Sequence, residues 1–106
     1  MTTIQLKLPK AVARFYPKIS EKVFLQALNE SVRRILDEER VELKLTKARI
    51  RRFERKYKCS FSVFAKRFSA AGNYETHEDY GEWSYLEEKT KRLCEDIENY
   101  EQLAAA

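Results

Sequence analysis

Glycine and proline are scarce, with only 2 of each among 106 residues. Few tight turns are therefore available, and long helices are expected. Histidine is represented by His77 alone, and Cys59 and Cys94 do not form a CxxC pair. A zinc centre needs three or four such ligands, so no metal site is expected. Two spaced cysteines in a chain whose first ten residues lack an apolar leader read as reduced thiols, which places the protein in the cytoplasm. No window is apolar enough for a membrane span. There is no Gly-rich phosphate loop, and a single histidine without a Ser or Cys nucleophile in a recognisable setting gives no triad. The acidic pairs Glu38/Glu39 and Glu87/Glu88 are adjacent on helices, so their side chains diverge and do not make an acid/base couple. The expectation is a non-enzyme with no catalytic residue, no cofactor and no metal.

What the chain does have is charge, and the charge is split. Residues 1–74 hold 18 Lys/Arg against 7 Asp/Glu, and residues 75–106 hold 3 against 10. The basic part suggests phosphate as a partner, and the acidic part suggests a basic protein. The acidic part also carries Tyr80, Trp83, Tyr85 and Tyr100, residue types that anchor interfaces. The apolar content of 43% supports a core, but with 36% charged residues a chain this short often completes its core by dimerising.

Along the chain, Thr3 to Leu8 alternates: Ile4, Leu6 and Leu8 fall on one face, and Thr3, Gln5 and Lys7 on the other. This reads as a half-buried strand stopped by Pro9. No later segment is as clear a strand, so its natural partner is the same strand of a second chain. Lys10 to Tyr16 reads as a short helix ended by Pro17. Ser20 caps the next helix, with Val23, Phe24, Ala27, Leu28, Val32, Ile35 and Leu36 at helical spacing.

Val41, Leu43 and Leu45 alternate like a strand. Yet Leu36, Leu43, Ile50 and Tyr57 recur every seven residues, with Val32 and Phe53 as companions, and no Gly, Pro or Asn interrupts Ser31 to Tyr57. The helix reading is preferred, with a break near Val41. Lys47, Arg49, Arg51, Arg52, Arg55, Lys56 and Lys58 would then coat the outer faces, either as a solvated surface or as an anion-binding one. Ser60 caps a shorter helix whose Phe61, Phe64, Ala65 and Phe68 form a stripe packed on the preceding helix. After a loop at Ala70 to Asn73, Thr76 or Asp79 caps a last helix. There Trp83, Leu86, Thr90, Leu93, Ile97 and Tyr100 recur at helical steps. The fold class expected is mostly α: a short N-terminal β-strand forming an intermolecular ribbon, followed by long helices, in a dimer.

The segment Thr3-Ile4-Gln5-Leu6-Lys7-Leu8-Pro9, followed by Ser20-Glu21-Lys22-Val23-Phe24-Leu25-Gln26-Ala27-Leu28, resembles ribbon-helix-helix repressors over residues 2–37. The turn before the second helix departs from that family in lacking glycine. The resemblance implies that Thr3, Gln5 and Lys7 read bases in the major groove and that the amides after Ser20 hold a phosphate. The alternative is a dimerisation ribbon with no role in DNA binding. Further on, Phe53-Glu54-Arg55-Lys56-Tyr57, then Phe61, Phe64, Gly72-Asn73, Glu78-Asp79 and Trp83, resembles small prokaryotic antitoxins encoded beside a toxin ribonuclease. That resemblance implies an operator-binding dimer whose C-terminal arm wraps a basic toxin.

The resulting expectation is an antitoxin that dimerises, neutralises a basic toxin and represses its own operon. Residues 1–45 would be a strand-helix-helix dimerisation and DNA-binding module, and residues 46–102 a helical partner-binding region. Leu103 to Ala106 resemble a cloning junction. The partner surface would centre on Trp83 with Tyr80, Leu86, Leu93 and Ile97, flanked by Glu82, Glu87, Glu88, Glu95, Asp96 and Glu98. The rival for this stripe is that it closes the core. The rival functions are a stand-alone DNA-binding regulator and a purely structural helical dimer.

Overall fold

Helix α1 spans Glu21–Tyr57, α2 spans Phe61–Phe68 and α3 spans Tyr74–Ala105. The structure is a computed structural model and describes Pro9, Lys10, Arg14, residues 21–68 and residues 73–105. The chain divides into two compact units, residues 1–31 and 32–106. In the first, the described part is mainly the opening of α1, where Leu25 and Leu28 are exposed. The rest of the fold belongs to the second.

Two expectations are corrected here. The expectation of a mostly α chain holds, but the short N-terminal strand that completed it is corrected to an all-helical reading: the described residues form three helices and no strand. Thr3 to Leu8, on which the ribbon and the dimer rested, lie outside those residues. The break near Val41 is also absent, because α1 runs through it and through the expected boundary at 45/46. The seven-residue repeat explains the continuity. Leu36 and Ile50 are buried, with Leu43 and Tyr57 half-buried on the same side, whereas Val41 and Leu45 face water. A strand would have split these residues between two faces, and the core is built from the helical set.

Helix α1 stops at Lys58, a non-glycine residue with φ of 55°, the left-handed conformation that commonly ends helices. Ser60 then caps α2: its hydroxyl accepts from the Val63 amide and its carbonyl from the Phe64 amide. Asn73, rather than Thr76 or Asp79, caps α3. Its side-chain oxygen accepts from the Thr76 amide at 2.9 Å, and its carbonyl accepts from the His77 amide. The helix therefore begins well before the apolar stripe does.

Helices α1 and α3 run antiparallel, as their ion pairs show. Glu42 meets Lys89, Arg49 meets Glu82 and Lys56 meets Glu75, so each step of seven up one helix is a step of seven down the other. Arg40 and Glu101 add a fourth ion pair between the two helices, outside that series, at 3.7 Å. Between them the core holds Ile50, Phe64, Trp83 and Leu86, with Phe53, Tyr57, Cys59, Phe61 and Phe68 packed around it. Val32 and Leu36 on α1, and Leu93 and Ile97 on α3, are the other buried apolar residues among those described.

Trp83 is the centre of this core. Its ring stacks on Phe53 at 5.5 Å and 13°, lies 4.9 Å from Phe64, and meets Phe61 edge-on at 5.5 Å. Residues from all three helices thus converge on one side chain. Trp83→Ala and Phe64→Ala are each expected to lower stability by about 3–5 kcal/mol, measured by urea unfolding. That is a large part of what a domain this size has, commonly about 5–15 kcal/mol. Gly81 sits inside α3 with open space where a Cβ would stand. Gly81→Ala should therefore raise stability by about 0.5–1 kcal/mol in the same assay.

Candidate functional site

The stripe expected to meet a partner is turned inward. Trp83 and Leu86 are fully buried, and Leu93 and Ile97 nearly so. The cause is α2: its Phe64, itself fully buried, lies over Trp83 together with Phe53 and Tyr57 of α1. Tyr80 alone of the five keeps an exposed side chain, with one side near the rings of Phe61 and Phe64. The rival reading of the stripe as core therefore describes it, and Trp83→Ala becomes a stability variant instead of an affinity variant. Thr3, Gln5, Lys7 and Ser20, the expected DNA contacts, lie outside the described residues.

The acidic flanks divide into two sets. Glu82 pairs with Arg49 at 2.7 Å, and Glu87 accepts the Trp83 indole N–H at 3.2 Å. Together with Glu75, Asp79 and Glu101 they bind the hairpin's own groups. The second set is Glu78, Glu88, Glu95, Asp96 and Glu98, which have no ion-pair or hydrogen-bond partner among the described residues. All but the half-buried Asp96 are exposed. Tyr85, also exposed, lies on the same helix. Glu88 and Glu95 share a shallow surface depression with Lys91 and Arg92.

The basic run divides in the same way. Arg49 and Lys56 are engaged by α3. Arg51, Arg52, Arg55 and Lys58 are exposed and have no acidic partner among the described residues, and neither do Lys44 and Lys47. Folding thus uses part of each charge. Among the described residues it leaves a remainder that is mainly basic on α1 from Lys44 to Lys58, where Glu54 is also unpaired, and mainly acidic on α3, where Lys91 and Arg92 are also exposed and unpaired.

A network of titratable groups lies at the α2 end of the hairpin. Lys56 donates to Glu75 at 2.6 Å and to Asp79 at 2.7 Å, and the Tyr57 hydroxyl donates to Asp79. The hydrogen bonds it donates to the Asp79 and Glu75 carboxylates hold the Lys56 ammonium above its ordinary range. Burial, then the Asp79 hydrogen bond and charge, push the Tyr57 phenol up. Burial pushes the Asp79 carboxyl up as well, but the hydrogen bonds from Lys56 and Tyr57 and the nearby ammonium outweigh it, and the net position is below the usual carboxylate range. The network ties the end of α1 to the start of α3, which makes it a structural clasp. Among the described residues no group of three or more His, Cys, Asp or Glu is arranged to hold a metal.

No protein-family model, no curated protein and no solved structure matches this chain. Among the described residues no helix is long and apolar enough to cross a membrane.

A depressed Asp79 carboxyl favours the folded state above the unfolded pKa of the group. That contribution is lost as pH falls through the folded value. Urea unfolding between pH 6 and pH 3 should therefore show stability falling, and Asp79→Asn should lower stability near pH 6 while flattening that slope. An unchanged slope in the variant would remove Asp79 from the clasp.

Proposed function

We propose that this chain is an antitoxin-type binding protein that occupies a basic protein partner, a toxin ribonuclease, in the cytoplasm, and performs no chemistry itself. The observation that carries the reading is the acid left over on α3. Glu78, Glu88, Glu95, Asp96 and Glu98 have no partner within the described chain, beside an exposed Tyr85. A protein that grips RNA presents a basic groove, and a rigid acidic helix is complementary to it. The burial of Trp83 changes the expected manner of binding. With Tyr85 the exposed aromatic left beside these acids, recognition rests mainly on charge, so it is fast to form and sensitive to salt. The free thiols of Cys59 and Cys94 support a reducing compartment.

Co-expression with the product of the adjacent gene, followed by co-purification, tests the reading directly. The parent chain should retain the partner at low salt and release it as salt rises. The double variant Glu88→Lys/Glu95→Lys should weaken binding at least about tenfold, an effect of rim charge on association, while leaving the melting temperature nearly unchanged. Full affinity in that variant would defeat the reading.

A further inference from the structure

We propose that α1 carries a second docking seam, on the side turned away from α3, and that its occupant is an acidic amphipathic helix of another protein. Val41 and Leu45 are 59% and 56% exposed, among the most exposed large apolar side chains described. They stand one turn apart on one face, and the half-buried Ala48 continues the row at the next turn. Such a row on a helix is an i, i+4, i+7 stripe, the pattern that meets another helix.

The rim of this stripe is basic. Lys44, Lys47, Arg51 and Arg55 run along one side of it at steps of three and four, and Arg52 stands beyond Ala48. None has an acidic partner among the described residues. A shallow groove bounded by Arg40, Leu43, Lys44, Lys47 and Arg51 follows the same flank. From Val41 to Arg55 the seam is about 21 Å long at 1.5 Å per residue, the length of roughly four helical turns.

The occupant follows from what α1 already accepts. Its first seam has an apolar centre, with Leu36 and Ile50 buried, and bases at Arg40, Arg49 and Lys56. What lies on it is α3, an amphipathic helix that answers those bases with Glu101, Glu82, Glu75 and Asp79. The second seam is smaller, two exposed aliphatic side chains and Ala48, but it has the same plan of an apolar centre beside unpaired bases. A second copy of the chain would bring identical bases against it, and that copy's own acidic helix is already seated. A nucleic-acid duplex would satisfy the bases through its phosphates but offers this face little to cover Val41 and Leu45. An acidic amphipathic helix satisfies both. The seam lies on α1 and the toxin-facing acids lie on α3, so each proposal stands or falls without the other.

The test titrates the full chain into three labelled probes by fluorescence anisotropy. One is a synthetic peptide of about 20 residues, with Leu at i, i+3, i+4 and i+7 spacing and Glu around them, long enough for the seam. The others are a scrambled peptide of the same composition and a DNA duplex. The amphipathic peptide should bind at least about tenfold more tightly than its scramble. Leu45→Gln and Arg51→Glu should each remove most of that preference. Both residues are exposed, so the variants should melt as the parent does. Trp83 emission should stay constant during the titration, because α3 remains in place. Equal binding of the two peptides would overturn the proposal, as would a red shift of Trp83 showing that α3 is displaced. Duplex binding that Arg51→Glu abolishes and Leu45→Gln leaves intact would overturn it in favour of a phosphate-binding surface.

Discussion

Every tertiary feature of the hairpin depends on removing one indole from water. Trp83 touches rings from α1 and α2 and stacks most nearly parallel on Phe53. An aromatic side chain buries on the order of 150–250 Å², so the cluster around Trp83 supplies much of the apolar burial in a small, highly charged molecule. The surrounding detail serves that contact. The left-handed Lys58 ends α1 in time for the chain to turn, Ser60 starts α2 within three residues, and Phe64 is delivered onto the indole. The indole N–H, which would otherwise be stranded at the edge of an apolar cluster, is satisfied by Glu87 of its own helix.

The ion pairs have a different role. Those of Arg40, Arg49 and Lys56 involve half-exposed side chains, and exposed pairs of this kind add little stability each, about 0–1 kcal/mol. Their value lies in their spacing. Glu42–Lys89, Arg49–Glu82 and Lys56–Glu75 repeat every seven residues; sliding α3 by one turn would break all three, and sliding it by a full repeat would set Glu42 against Asp96 and Arg49 against Lys89, or Glu42 against Glu82. The aromatic cluster fixes that the helices meet, and the charges fix how. Because only part of each charge is consumed, the same segregation that orients the hairpin persists on its outside.

Much of this was legible in the sequence. The seven-residue repeat of Leu36, Leu43, Ile50 and Tyr57 announces a helix with one buried side, and Phe61, Phe64, Ala65 and Phe68 announce a short one packed on it. Alternation at Val41, Leu43 and Leu45 was a false strand signal, because two apolar stripes on one helix interleave to look like period two. Ser60 placed the end of the helix just before it, but the left-handed turn at Lys58 was not legible, since the position adopts a glycine-like conformation without being glycine. Asn73 was passed over as a cap because it sat in a stretch read as loop. The largest misreading concerned direction. An amphipathic helix shows that it has an apolar face but not what covers it, and here the short α2 claims Trp83 before any partner can.

Thr46 and Thr90 interrupt the apolar seam midway. Thr46 is almost wholly buried, and each threonine turns its hydroxyl back onto the carbonyl one turn earlier in its own helix. Neither hydroxyl is left wanting, but neither contributes what a leucine would contribute across the seam. The seam is thereby divided into an aromatic half around Trp83 and an aliphatic half of Val32, Leu36, Leu93 and Ile97. The two halves differ in how firmly they close. Aromatic contacts to two other helices hold the Trp83 half, whereas the aliphatic half rests on α1 and α3 alone, so amides flanking Trp83 are expected to exchange more slowly than those around Leu93 and Ile97. The hairpin is thus tied firmly at one end, around Trp83, and more lightly at the other.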